Sequence, residues 1–132
     1  MIYCHRFGYK TSVKALEDHP DIDEQKEYEN ILVGFIQVEA EDETNFSNAA
    51  TKSVKNLKWA ARKNETERIM LHSFAHLSDS KASPEITAQF FENAFQRLTD
   101  ANYETFETPF GYYLDLDIDA PGNPLTRLFK SF

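Results

Sequence analysis

Only one of the 132 residues is a cysteine. Cys4 alone cannot close an intrachain disulfide, so a small disulfide-stapled secreted scaffold is excluded and the cytosol is the simplest location. Long hydrophobic runs are also missing. No stretch approaches the roughly 20 apolar residues that cross a bilayer, and the start MIYCHRFGYK has no segment resembling a signal peptide, so membrane insertion is set aside. Positive charge is scarce: 14 basic against 22 acidic side chains give a formal charge of -8. That deficit argues against a protein that wraps a nucleic-acid backbone with a basic stripe, while leaving contact with a small part of an RNA open. Paired-cysteine zinc spacing and HExxH are both absent, and no hydrolase triad is recognisable. The remaining composition, 41% hydrophobic and 14% aromatic with four glycines and five prolines, describes one compact domain with a radius near about 14 Å. Taken by itself, this length predicts a single domain rather than a large multidomain enzyme.

Along the chain, MIYCHRF and GYKTSVK predict a strand followed by a second strand or turn around Gly8. Seven acidic residues between Glu17 and Glu29, around Pro20, predict a solvent-facing connection or a short charged helix. The apolar run Ile31 to Val38, interrupted by Gly34 and Gln37, predicts a buried strand. Ala50, Val54, Leu57 and Ala61 recur at helical spacing, with Lys52, Lys55, Lys58 and Arg62 mostly off that face, which predicts an amphipathic helix. Arg68 to Phe74 reads as another strand. Ser83 then offers a cap and Pro84 a first helical position, so a second helix follows. In the final third Asp115, Asp117 and Asp119 alternate with Leu116 and Ile118 and share one strand face. Gly122 and Pro124 mark a turn before PLTRLFKSF, which predicts a short terminal helix or its first turns. The succession is mixed α/β.

Several groups could carry chemistry. His72 and His76 are four apart, but RIMLHSF favours a strand leading into a turn, which weakens a helical metal pair. His76 is open to catalytic, substrate-positioning or surface roles. The three aspartates of DLDID read as a polar sheet face in water, since alternation does not specify metal geometry. SFAHLSDSKASP joins a strand to a helix and offers free N–H donors that can bind an anion or an oxyanion, or simply turn and cap the chain. In TPFGYY, Tyr112 and Tyr113 alternate across a strand, so one ring can face the core while the other reaches a pocket. Cys4 and His5 diverge in an extended segment and form no nucleophilic pair.

Taken in order, NILVGFIQVE, SFAHLSDSKASP, QFFENAFQRL, TPFGYY and APGNPLTRL resemble the amino-terminal editing domain of archaeal-type threonyl-tRNA synthetase over residues 1–132. The resemblance implies a D-aminoacyl-tRNA deacylase-like fold, a homodimer, and hydrolysis of serine wrongly attached to threonine tRNA, alone or alongside covalently linked or separate synthetase domains. It implies His76 as the catalytic residue and His5, Ala75, Tyr113 and Arg127 as substrate-binding residues converging on one pocket, with neither metal nor other cofactor. Three positions depart from the family pattern. Leu114 replaces a lysine beside the aminoacyl ester, Arg127 replaces a pocket glutamate, and Phe7 replaces an aspartate. Leucine can neither carry charge nor donate a hydrogen bond, and arginine exchanges an acceptor for a cationic donor. An inactive RNA-terminus binding module and a dimeric structural domain are therefore the alternatives.

Overall fold

A computed structural model describes residues 1–132. Five strands form one sheet: β1 Ile2–Lys14, β2 Gln25–Ile36, β3 Arg68–Ser73, β4 Glu104–Glu107 and β5 Tyr112–Asp119, in the spatial order β4-β3-β2-β1-β5. β1 is antiparallel to both β2 and β5, whereas β2, β3 and β4 run parallel. Parallel neighbours need crossovers, and the two helices supply them: α1 Phe46–Lys63 joins β2 to β3, and α2 Pro84–Asp100 joins β3 to β4. Both crossovers step in the same direction along the sheet, so right-handed connection puts both helices on one face. The mixed α/β single domain is as the sequence predicts.

The helices form where periodicity and capping coincide. α1 buries Ala50, Val54, Leu57 and Ala61. α2 begins with Ser83, whose hydroxyl accepts from the Ile86 N–H at 3.2 Å, and with Pro84 in its first turn. Both pack on Leu32, Ile69 and Leu71 in the larger hydrophobic cluster. Strand and helix approach so closely at Gly34 that a Cβ there would lie 2.8 Å from Leu57 Cδ2.

The opposite face holds a second cluster of Cys4, Phe7, Ile31, Val33 and Met70 with Phe35, Phe106 and Leu114. It is buried because the sheet curls. β4 and β5 are the two edges, about 19 Å apart in a flat five-stranded sheet, yet only residues 108–111 separate them in sequence. Five peptide steps reach at most about 18 Å. The edges are thereby drawn together into a cup.

Three local expectations are corrected. β1 is one continuous strand without a turn at Gly8, because Gly8 is paired on both sides, with Glu27 and Asp117. The acidic stretch forms no helix; its second half, from Gln25, extends β2 along β1. The terminal segment is not helical either. Its backbone is spent on the start of β1, with the Tyr3 N–H donating to the Thr126 carbonyl at 2.8 Å and the Leu128 N–H to the Met1 carbonyl at 2.9 Å. DLDID is the polar strand face expected: Asp115 and Asp119 stand in register with Lys10 and Arg6, and Arg6 reaches Asp117 at 2.7 Å.

Candidate active site

Parallel strands leave a crevice beyond their carboxyl ends, where the following loops diverge. Here those ends are Ile36, Ser73 and Glu107. The segments that leave them, with Ala15 and Leu16 after β1, enclose a cleft of about 410 Å³, within the size range of small-molecule sites. Ala75, His76, Tyr113 and Leu114 all line it.

The histidine turn is held by its base. Parallel pairing continues past the strands, with the Phe74 N–H on the Ile36 carbonyl at 3.0 Å and the Ala82 N–H on the Val38 carbonyl at 2.9 Å. Residues 75–81 bulge out between these two bonds, and the Gln37 carboxamide fills the bulge. Gln37 Oε1 accepts from the N–H groups of Leu77 and Ser78 at 2.7 and 2.8 Å, and Nε2 donates to the carbonyls of Ser78 and Ser80, both at 2.8 Å. Every donor and lone pair of the amide is used, which fixes its orientation. The N–H groups of Ala75 and His76 have no acceptor within the chain. Pro84 and Thr87 bring the first turn of α2, with its partial positive charge, to the same wall.

The opposite wall is set by Gly111, whose φ of +87° an L side chain rarely adopts and where a Cβ would meet the His19 ring at 2.8 Å. Its carbonyl accepts from the Ala15 and Leu16 N–H groups at 2.6 and 3.2 Å. The Tyr112 hydroxyl donates to the Pro20 carbonyl at 2.6 Å and accepts from the Ile22 N–H at 2.7 Å. The acidic connection is thus pinned to the cleft wall. Of the two tyrosines, Tyr112 serves that loop, whereas Tyr113 is 57% exposed at the rim.

His72 forms part of the lining as a buried imidazole with Nδ1 2.9 Å from Thr108 Oγ1 and its ring against Phe35. Burial pushes its pKa down to about 4, so it is neutral at ordinary pH. No carboxylate lines the cleft, and Lys81 supplies its one ammonium group.

The predicted convergence of four side chains and Ala75 is only partly met. His5 and Arg127 are absent from the lining. Cys4 faces the concave cluster, so His5 points to the other side of β1, exposed, with its ring 5.8 Å from Tyr3. Arg127 bridges Ile2 through its backbone and extends its exposed guanidinium to the Ala120 carbonyl at 3.4 Å. Phe7 is fully buried in the concave cluster. Gln37, Lys81 and Thr108 are the contributors that residue patterns did not single out, and His72, weighed in the sequence only as half of a metal pair, joins them as a buried lining residue. Gln37 offered one signal, as a polar interruption in an apolar run. No group of three or more His, Cys, Asp or Glu side chains is placed to hold a metal ion, and no helix is long and apolar enough to cross a membrane.

The model of the Archaea-specific editing domain of threonyl-tRNA synthetase matches residues 1–132. The chain belongs to this family. Among similar proteins, the threonine–tRNA ligase of Thermococcus kodakarensis is 34% identical over 134 residues, covering 99% of this chain and 21% of the relative. That of Methanosphaera stadtmanae is 33% identical over 134 residues, covering 99% and 22%. The chain spans about a fifth of the length of these curated relatives. Membership places this editing domain in tRNA proofreading during translation. Of the departures noted in the sequence, Leu114 alone falls in the cleft wall.

Proposed function

We propose that this domain hydrolyses the ester of misacylated threonine tRNA, with seryl-tRNA(Thr) as the preferred substrate. The observation that carries the reading is a cleft without carboxylates whose lining includes Ala75 and His76, two residues whose N–H groups have no acceptor within the chain. Such donors favour an oxygen that becomes negative as water adds to a carbonyl. In this reading the terminal adenosine lies against Tyr113 and the ester carbonyl accepts from the histidine turn. His76 and the terminal hydroxyls of the tRNA orient water. The water oxygen bonds to the carbonyl carbon, the bond to the ribose oxygen breaks, and that oxygen takes the proton, releasing amino acid and tRNA. Leu114 contributes no charge to the oxyanion, and Lys81 supplies it from the opposite side of the cleft. The reading needs no cofactor.

His5 and Arg127 have substrate roles in this scheme only if they enter the site from elsewhere. The domain, residues 1–132, acts in the cytoplasm as a homodimer with synthetase domains as partners. We place the dimer contact on the β5 edge, where Ile118 and Leu116, the latter also at the cleft wall, are 39% and 38% exposed.

Release of amino acid from a panel of purified aminoacyl-tRNAs, corrected for spontaneous ester loss, tests the reading. Seryl-tRNA(Thr) is expected to be cleaved fastest, and His76→Ala to reduce the rate about 100-fold. No protein-dependent release of any amino acid sinks hydrolysis. Binding without release favours the inactive module, for which Leu114 in the cleft wall is the specific argument. Absence of both favours a structural domain.

A further inference from the structure

The whole chain is acidic, yet α1 contains no acidic residue and carries Lys52, Lys55, Lys58, Arg62 and Lys63. Five of the 14 cations therefore sit on one 18-residue element. At 100° per residue they fall within an arc of about 140°, opposite the face that packs on the sheet. Lys52, Lys55, Arg62 and Lys63 are exposed, and none of the five is in a salt bridge. Trp59 lies within the same arc, 37% exposed, with Lys63 Nζ 5.9 Å from its ring. An unpaired basic row interleaved with an exposed aromatic ring, on a protein of charge -8, is the footprint of a polyanion rather than of a solvated helix face.

We propose that the outer face of α1 binds the phosphate backbone of the RNA whose terminus enters the cleft. The surface rests on the hydrolytic reading for which RNA it is, and on charge alone for what chemistry it binds. From Lys52 to Lys63 the row runs about 16 Å along the helix. α1 follows the end of β2 through the short turn Ala40–Glu43, so the row begins at the end of the sheet where Gln37 holds the histidine turn. The acidic residues of that turn, Glu41, Asp42 and Glu43, bound the row and set where the backbone must leave it. The expectation of no basic stripe follows from net charge; the structure restores one locally, because α1 segregates its cations from the acids concentrated elsewhere.

The test uses the full chain with Lys52, Lys55, Arg62 and Lys63 all changed to Gln, and a control with the three lysines changed to Arg. Two substrates are compared, the aminoacylated full tRNA and an aminoacylated adenosine. The Gln variant is expected to raise KM for full tRNA 10- to 100-fold on the order of magnitude set by lost phosphate contacts, and to lower the slope of log K against log salt by about 3. Cleavage of the aminoacylated adenosine should stay at the wild-type rate, and the Arg control should match wild type with both substrates. An unchanged salt slope and KM for full tRNA overturn the proposal. So does a variant that keeps tRNA affinity but loses binding to another protein, which would make α1 a protein-docking face. If wild type binds tRNA through a salt slope that the Gln variant removes, yet releases no amino acid, the surface stands and hydrolysis alone falls.

Discussion

His72 couples the candidate site to acid stability. Its folded pKa is about 4 against an ordinary 6.5, with burial as the cause. Between those values the unfolded chain binds the proton and the folded one does not. Stability is therefore complete above about pH 6.5 and is lost as pH falls towards 4, by about 3 kcal/mol for the full interval. Denaturant titrations from pH 7 to pH 4 should show this slope, and His72→Gln, which keeps a hydrogen-bonding side chain towards Thr108, should flatten it. An equal slope in both proteins would place the acid sensitivity elsewhere. At the scale of single residues, the place of His76, Ala75 and Tyr113 in the cleft wall was legible because a contiguous motif carries each. Lys81 and Gln37 were not, since their place depends on a turn whose partner lies about 40 residues away in the chain.

The histidine turn as an element depends on one carboxamide. Replacing Gln37 by Met preserves the side-chain length and removes all four hydrogen bonds to residues 77–80. The expected result is faster amide hydrogen exchange at Leu77 and Ser78, with kcat/KM for the editing substrate lowered about 100-fold, as a displacement of about 1 Å can cause. Unchanged exchange at both amides would show that the two flanking backbone bonds suffice. Elements with a strong local signal were read correctly: α1 by its period, α2 by Ser83 and Pro84, β3 by its apolar run. Errors came where a distant strand decides the backbone. The chain end was predicted to be a short helix or its first turns because Gly122 and Pro124 mark a turn before it, but its N–H and carbonyl groups complete pairing with Met1 and Tyr3. Gly8 suggested a turn, and strands on both sides keep it extended.

For the molecule as a whole, length and composition gave one mixed α/β domain, whereas the cup shape was hidden, because it follows from joining the two sheet edges by four residues. The homodimer proposed for the β5 edge makes a measurable claim. Sedimentation should give about twice the monomer mass, 15.3 kDa, and Leu116→Lys with Ile118→Lys should shift it to monomer without loss of fold, since both side chains are more than a third exposed. A double variant that remains dimeric would move the contact to another surface.

The place of β1 between β2 and β5 also has a consequence during synthesis. β2 can pair with β1 early, but the other side of β1 waits for β5, about a hundred residues later. At ribosomal rates that is on the order of 5–20 s with an open strand edge. Arg6, Lys10 and Lys14 are spaced along that edge, and charged side chains discourage a stray strand from adding there. When β5 emerges, Asp119 and Asp115 arrive opposite Arg6 and Lys10. The same cations that guard the nascent edge then favour an acidic strand to close it, and Arg6 bonds the Asp117 carboxylate at 2.7 Å.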